Sequence, residues 1–516
     1  MHNNTAINWQ NSFKSFLRPQ VITMLFLGFS AGIPLLLIFS SLSLWLIEAG
    51  VQRSTVTYFS WAALGYSFKF LWAPLVDRLP VPFLTHLLGR RRAWLLVSQG
   101  LIISAISLMA FIDPSKGDNS LTLMAFAAIL LGFSSATQDI VIDAYRIESA
   151  EESLQALMSS TYIAGYRIGM LASGAGALIL ASYFGSDKGS YSYTAWHWTY
   201  LSMASFMLVG IITTIIIPEP EQKAAHLTEH TTAQYIRFLM LFVLCILVFI
   251  MTFISLKDPI TAGKSALSSI LNSAPISSFI MELLKFIIAF ISVSLFAYLL
   301  VFFNFVEKDL VRESYIAPIS DFFKRYGKKI ALILLLFIGF YRVSDIVLGV
   351  ISNVFFLEIG FTKLQIASVV KTFGLFMTIA GGFLGGILAV RFGVMKILFL
   401  GALLTVITNL LFMLLASSGN NITLLYLVIS ADNLSAGLAS AAFIAFLSRL
   451  TNISFTAVQY AVFSSLMTLM PKLIGGYSGS IVESIGYSNF FLVASLMGIP
   501  VLFLLYYLNK QSQFEL

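Results

Sequence analysis

The sequence predicts an all-α membrane protein with 14 transmembrane helices. Three observations lead to this fold class. The chain of 516 residues is 58% hydrophobic and only 11% charged, whereas a soluble domain carries about 25% charged residues. Its mean hydropathy is +0.89. Its apolar residues also fall into runs of about 20, the length that an α-helix needs to cross a bilayer.

The apolar runs define the predicted spans in chain order. The first run follows Lys14 and Arg18. It is much longer than a signal-peptide core of roughly 7–15 residues, so we interpret it as a helix that stays in the membrane. The runs lie near 21–47, 56–76, 94–112, 121–145, 157–183, 197–217, 235–256, 276–305, 330–357, 364–389, 394–416, 422–448, 455–480 and 486–508.

The basic residues indicate topology. Lys and Arg concentrate in the loops on the side of the N-terminus, most densely at 90–92 and 324–329. The positive-inside rule places that side, and with it both termini, in the cytoplasm. The net charge of +7 therefore does not indicate nucleic-acid binding. The single cysteine, Cys245, excludes an intramolecular disulfide, and the five histidines show no metal-ligand spacing. We expect no metal and no cofactor.

Two basic loops, after the second and the tenth span, share a pattern. The first reads 73–78 (APLVDR) followed by 89–92 (GRRR), and the second reads 386–393 (GILAVRFG). Both resemble the loop signature of the major facilitator superfamily, G-x-x-x-D-R-x-G-R-[RK]. The first copy has Ala73 for the leading glycine and an insertion before Gly89, and the second has Val390 for the aspartate. A chance basic loop is the alternative, because loops on this side are rich in arginine anyway.

This resemblance implies a fold of two six-helix bundles. In that superfamily the signature joins helices 2 and 3, and again 8 and 9, so spans 7 and 8 would be an inserted pair. We expect an N-terminal bundle at 1–217, a linker with two extra helices and a cytoplasmic connector at 218–329, and a C-terminal bundle at 330–516. The predicted gating residues in the two loops are Asp77, Arg78, Gly89, Arg90, Arg91 and Arg391.

The fourth span carries an unusual charged face. Asp139, Asp143 and Arg146 lie at positions i, i+4 and i+7, which places them on one face of a helix. Charges inside a membrane span are costly and mark ion or substrate pathways. Asp139 lies deepest, so we expect it to carry a proton, with Asp143 as a second candidate. A structural pair between Asp143 and Arg146 is the alternative for those two.

Further polar residues lie within other spans. Arg167 lies near the middle of the fifth span, where it would bind a carboxylate of the substrate or pair with Asp139. Lys69 has a simpler interpretation, in which its side chain extends to the membrane surface. The predicted substrate-binding residues are Gln138, Arg167, Tyr341, Arg342, Asp345, Asp432 and Asn433. An internal pair between Arg342 and Asp345 is again the alternative.

Several segments resemble the AmpG muropeptide permeases, a family related to the acetyl-CoA transporters. They fall in both halves of the chain, and the third of them is the most specific. They are 27–34 (LGFSAGIP), 69–78 (KFLWAPLVDR), 136–146 (ATQDIVIDAYR), 441–448 (AAFIAFLS) and 455–461 (FTAVQYA).

The resemblance implies a proton-coupled transporter in the inner membrane of a bacterium. It would import N-acetylglucosaminyl-1,6-anhydro-N-acetylmuramic acid, with or without peptide, from the periplasm. We expect a monomer that binds this small molecule, protons and lipid. The alternative within this fold is a transporter of acetyl-CoA or another anionic metabolite. An intramembrane enzyme would need an aqueous loop with clustered acids or metal ligands, and a sensor normally carries a soluble domain; the sequence offers neither.

Overall fold

The computed structural model describes residues 14–52, 55–56, 59, 62, 65–186, 190–221, 231–271, 274–475 and 478–511. Within these ranges helices make up nearly all of the regular structure. Thirteen of the described helices are long and apolar enough to cross a membrane. They coincide with the predicted spans, apart from the second, 56–76, parts of which lie outside the described residues.

The helices up to residue 216 form the N-terminal half. They are α1 (Pro19–Ile38), α2 (Ser40–Glu48), α3 (Gly65–Phe68), α4 (Ala73–Arg78), α5 (Leu84–Leu88), α6 (Arg90–Ala110), α7 (Asp118–Glu148), α8 (Gln155–Leu171), α9 (Ala177–Tyr183), α10 (Tyr193–Phe206) and α11 (Leu208–Ile216). A π-helical turn at Ala172–Gly176 connects α8 to α9, so that the two act as one long span. We call the end of the bundle at which α1 begins the near end and the opposite end the far end.

The remaining helices supply the two extra spans and the C-terminal half. The extra spans and the connector are α12 (Thr232–Ser255), α13 (Lys257–Leu271), α14 (Ala274–Phe302) and α15 (Lys308–Val311). The C-terminal half contains α16 (Ala317–Phe340), α17 (Val343–Glu358), α18 (Lys363–Gln365), α19 (Gly374–Phe392), α20 (Val394–Ser418), α21 (Ile422–Leu450), α22 (Thr456–Gly475) and α23 (Ser478–Asn509).

The helices group into two compact units. One unit contains the N-terminal half and the helices from residue 323 onward, and the other contains α12–α15 together with residues 77–79. In the second unit α13 is joined to α14 by an ion pair, since Lys264 Nζ lies 2.6 Å from Glu282 Oε1. Lys285 of α14 lies 3.8 Å above the ring of Phe253, which gives a buried cation a partner inside an apolar helix pair.

Each half has its own hydrophobic core. In the N-terminal half the indole of Trp45 stacks on that of Trp196, with ring centroids 5.6 Å apart. In the C-terminal half Phe355 packs edge-on against Phe491 at 4.7 Å. The two cores explain why the apolar faces of the spans are not all directed to lipid.

Glycines set the distance between α1 and α8. A Cβ atom on Gly165 would lie 1.9 Å from the carbonyl oxygen of Leu25, and one on Gly169 would lie 2.2 Å from that of Phe29. No side chain fits there, so the two backbones touch, as small residues allow between membrane helices. The contact fixes the orientation of α8 and so positions Arg167, which lies between the two glycines in the sequence.

Candidate functional site

The charged face of α7 forms a cluster at the near end. Arg146 donates to Asp143 Oδ1 at 3.2 Å, which is the i,i+3 pair that the spacing allows. Asp143 also faces a second cation, because Lys69 Nζ lies 3.5 Å from its other oxygen. Lys69 is only 6% exposed, so its side chain stays inside the bundle. Asp143 is therefore held between two cations.

Asp139 lies one helical turn deeper and has a different surrounding. It is 8% exposed, and the hydroxyl of Tyr162 donates to its Oδ1 at 3.5 Å. Lys69 and Asp143 are the charged groups that act on it most strongly. Tyrosines from other helices, Tyr66, Tyr162, Tyr166 and Tyr460, all lie within electrostatic range of it. A carboxyl group buried among hydroxyls and next to a second acid is suited to hold and release a proton.

Arg146 joins the cluster to the C-terminal half. Its guanidinium lies 5.0 Å from the ring centroid of Tyr460, on α22, and its Nη1 donates to Ser159 Oγ at 3.3 Å. The side chain is 1% exposed. Asp143, which lies one helical turn from Asp139, thus holds Arg146 in contact with both halves. We call Lys69, Asp139, Asp143, Arg146, Tyr162 and Tyr460 the near-end cluster.

Other contacts between the halves also lie at the near end. Arg449 donates to Glu152 Oε1 at 2.8 Å, which joins the end of α21 to the turn before α8. Gly386 of α19 lies against Ser160 of α8, because a Cβ atom at this glycine would be 2.1 Å from the serine hydroxyl. These contacts join the two halves at this end.

A cavity of about 340 Å³ lies in the far half of the bundle, by which we mean the half of its length nearer the far end. This volume is within the range of small-molecule sites. Arg167 of α8 faces it from the N-terminal half, and the other lining residues come from the C-terminal half. The polar lining residues are Arg167, Asp345, Ser352, Lys371, Thr378, Asp432 and Asn433.

Arg167 does not pair with Asp139, the partner that the sequence suggested. The sequence allowed a pair with Asp139, whereas in the structure the charged groups within range of Arg167 are Arg342 and Asp345. Arg342 donates to Asp345 Oδ2 at 2.5 Å, so the predicted alternative of an internal pair is present. The pair lies at a helix break: α16 ends at Phe340 and α17 begins at Val343.

Asp432 and Asn433 lie side by side on α21 and both reach the cavity. Asp432 accepts from the hydroxyl of Thr408 at 3.5 Å. Asn433 accepts from Thr378 at 2.8 Å and donates to the carbonyl of Ile429 at 3.0 Å. Within the described residues Asp432 accepts only from Thr408, so its carboxylate can accept further hydrogen bonds from a ligand.

Three predicted binding residues do not line the cavity: Arg342, which pairs with Asp345, and Tyr341 and Gln138, which lie in the helix packing. The hydroxyl of Tyr341 donates to the carbonyl of Leu398 at 3.1 Å, and its ring stacks on Phe443 with a centroid distance of 4.3 Å. Gln138 is fully buried and accepts from Ser30 at 3.3 Å. Through these contacts Tyr341 and Gln138 join neighbouring helices.

The predicted gating loop forms a set of ion pairs and helix caps at the near end. Arg91 donates to Glu148 at 2.6 Å, and the carboxylate of Glu219 accepts from the backbone N–H groups of Arg91 and Arg92 at 2.8 and 3.0 Å. Glu219 thus provides an acceptor for backbone N–H groups in the first turn of α6, which have no acceptor within the helix. Gly89 precedes them with φ +88°.

The remaining predicted gating residues differ in their surroundings. Arg78 donates to Glu313 Oε2 at 3.3 Å, and Asp77 is buried at the end of α4. Arg90 is the first residue of α6. Arg391 lies over the ring of Phe392, 5.5 Å from its centroid.

Sequence reasoning missed Tyr162, Tyr460, Glu148, Glu219 and Lys371 as members of these sites. For Glu148 and Glu219 a signal was present. Each is an acid that closely follows a predicted span, and both spans end on the same side of the membrane as the arginine-rich loop. Lys371 carried a signal too, as a lysine inside an apolar run. The tyrosines carried none, because aromatic residues are frequent throughout this chain.

Comparisons with known proteins give the family. The family model of the Major Facilitator Superfamily matches residues 24–341. The AmpG 4 transporter of Rickettsia conorii is 30% identical over 96% of this chain and 98% of its own. The anhydromuropeptide permease of Escherichia coli (strain K12) is 29% identical over 95% of this chain and 80% of its own.

Solved structures agree on the fold. The transporter FucP in its outward conformation superposes with a TM-score of 0.62 at 11% identity, over 96% of this chain and 100% of its own. The proton:xylose symporter XylE superposes with a TM-score of 0.58 at 12% identity, over 98% of this chain and 96% of its own. The predicted fold and the predicted resemblance are both confirmed. The chain belongs to the major facilitator superfamily and, within it, to the AmpG family of transporters.

Proposed function

We propose that this protein imports anhydromuropeptides across a bacterial inner membrane, with both termini in the cytoplasm, and that protons drive the import. The near end is then the cytoplasmic end. The observation that carries the proposal is the cavity with Arg167, Lys371, Asp345 and Asp432 on its wall, in a chain related along nearly its whole length to an anhydromuropeptide permease. The three-part division at residues 217 and 329 and the monomeric state belong to the same proposal.

The arrangement supports a substrate site that opens to the periplasm. Two polar contacts between the halves, Arg146–Tyr460 and Glu152–Arg449, lie at the near end, whereas the cavity lies in the far half. A carboxylate of the substrate is recognised by Arg167, because a guanidinium binds carboxylates in a bidentate manner. Asp345 and Asp432 supply acceptors on the opposite wall.

The near-end cluster supports proton coupling. A proton on Asp139 removes one of two adjacent negative charges, and it leaves Lys69 with Asp143 as its acidic partner. Asp143 also holds Arg146 against Tyr460 of the other half. Protonation at one carboxyl therefore changes the charge balance of the same cluster that joins the halves, and this links the proton to the closing of the near end.

Uptake measurements test the proposal. We expect proteoliposomes with the purified protein to accumulate labelled N-acetylglucosaminyl-1,6-anhydro-N-acetylmuramic acid when the outside is acidic. Without a proton gradient, uptake should stop at equilibration. Accumulation of acetyl-CoA instead of the sugar would support the alternative substrate, and accumulation of the sugar without a gradient would overturn the coupling.

A further inference from the structure

The wall of the far-half cavity carries charges of both signs. Arg167 and Lys371 are its cations, and Asp345 and Asp432 are its acids. Only Asp345 is neutralised within the described part of the chain, by Arg342 at 2.5 Å. Two cations and one carboxylate therefore remain for a ligand.

Neither cation has an ion-pair partner among the described residues. The groups that act on Arg167 are Arg342, Tyr166 and Asp345, and the first of these is itself a cation. For Lys371 no charged side chain in the described ranges acts on the ammonium group. A cation within a membrane span is costly and is normally paired, and Arg167 is half-buried there without an ion-pair partner in the part of the chain that the structure describes. Lys371 is exposed on the same cavity wall. The two positive charges therefore indicate a ligand that brings negative charge.

Local backbone geometry brings Lys371 to the cavity. Lys371 lies in the π-helical segment Ile366–Phe373 at the start of the tenth predicted span. The hydroxyl of Thr372 donates to the carbonyl of Ala367, five residues earlier, at 3.0 Å. A π-helical turn adds a residue and rotates the following side chains, and such turns are frequent at functional sites. The span that carries Arg167 also contains one, at Ala172–Gly176.

We infer that this cavity selects a zwitterionic ligand, namely the peptide portion of the transported molecule. Arg167 and Lys371 bind carboxylates, and Asp432 binds an ammonium group. A sugar without peptide offers the acid of its muramic moiety but no ammonium group, so it uses the wall only in part. Lys371 and Asp432 are then the residues that set the preference for peptide-bearing substrates. This inference rests on the proposed function and specifies its substrate class.

Binding to the purified full-length protein tests the inference. The two probes are the peptide-free disaccharide and a form whose peptide carries a free amino group and free carboxylates. We expect the wild-type protein to bind the second form at least tenfold more tightly. The preference should fall about tenfold in Lys371→Met and in Asp432→Asn, as the loss of one charge-assisted hydrogen bond predicts.

Matched variants separate the charge from the shape of the side chain. Lys371→Arg keeps the charge and should restore most of the preference. Lys396→Met removes an exposed lysine near the start of α20, outside the cavity, and should change binding of neither probe. A variant that loses both probes to the same degree counts against a role in selectivity.

The outcomes also distinguish this inference from the proposed function. Equal affinity of the wild-type protein for both probes would overturn the inference and leave muropeptide transport intact. An unchanged preference in both Lys371→Met and Asp432→Asn would do the same. Failure of the wild-type protein to bind or transport either probe would overturn the proposed function itself.

Discussion

Lys69 Nζ and Asp143 Oδ2 lie 3.5 Å apart, inside the bundle and one helical turn from Asp139. Lys69 comes from the short turn Lys69–Leu71 and Asp143 from α7, so the pair joins two separate segments. Removal of one partner of a buried pair leaves an uncompensated charge, which is strongly destabilising.

Lys69→Met should nevertheless reduce transport more than it reduces the amount of folded protein. Asp143 keeps Arg146 as a partner, so the fold has a remaining counter-charge, but the balance around Asp139 is lost. Uptake per folded molecule, with folded protein quantified by size-exclusion chromatography, measures the effect. Lys396→Met removes an exposed lysine near the start of α20 and serves as the control. Full uptake by Lys69→Met would show that the pair is only structural.

Gly89→Ala should lower thermal stability through a clash with Glu219. A Cβ atom at residue 89 would lie 2.3 Å from Cγ of Glu219, and the backbone has φ +88°. Displacement of this glutamate removes the acceptor for the first N–H groups of α6, and loss of such a cap costs about 0.5–2 kcal/mol.

Gly117→Ala is the matched control for this variant. Gly117 also has positive φ, at +103°, but nothing lies within 4 Å of its Cβ position. The apparent melting temperature of Gly89→Ala should be lower than that of Gly117→Ala, and the difference should shrink when Glu219 is also replaced by alanine. Equal melting temperatures for the two glycine variants would contradict the cap.

Glu152 and Arg449 report the closure of the near end, since they join the two halves at 2.8 Å. In a Cys245→Ser background, the double variant Glu152→Cys/Arg449→Cys should cross-link with a short bismaleimide. Addition of substrate together with a proton gradient should lower the cross-linked fraction, because transport requires the near end to open. Cross-linking that does not respond to either addition would speak against alternating access at this site.

Asp113 stabilises the far end, in the connection between α6 and α7. Burial alone would raise the pKa of its carboxyl, but hydrogen bonds from Ser115 and Tyr191 and the charge of Lys116 outweigh burial, so the pKa lies below its usual 3.8. A lowered pKa adds stability above the unfolded-state pKa, and this stability disappears as the pH falls through the folded-state pKa. Asp113→Asn should therefore melt below the wild type at pH 7.

The difference between Asp113→Asn and the wild type should become smaller as the pH falls below about 4. Asp118→Asn, an exposed change at the start of α7, should track the wild type throughout. Melting curves followed by intrinsic fluorescence give both comparisons. A difference that stays constant with pH would mean that the carboxylate charge of Asp113 contributes nothing.

The sequence alone predicted what depends on hydrophobicity and on spacing along one helix. Apolar runs located the spans, and the i,i+3 spacing of Asp143 and Arg146 predicted their pair. The partners of Asp139 were not predictable in this way, because Lys69, Tyr162 and Tyr460 come from three other segments. The position of Lys371 on the cavity wall was not predicted for a different reason. Its side-chain direction depends on a π-helical turn, which regular helical periodicity does not reveal.

Proton movement upon substrate addition is the most direct test of the proposed coupling at Asp139. Proteoliposomes that contain a trapped pH indicator should acidify inside when anhydromuropeptide is added outside. Asp139→Asn should abolish this acidification and gradient-driven accumulation while substrate exchange persists, and Asp118→Asn should behave as the wild type. Substrate-driven acidification by Asp139→Asn at the wild-type rate would contradict the account and place the coupling at another acid, with Asp345 and Asp432 as the next candidates.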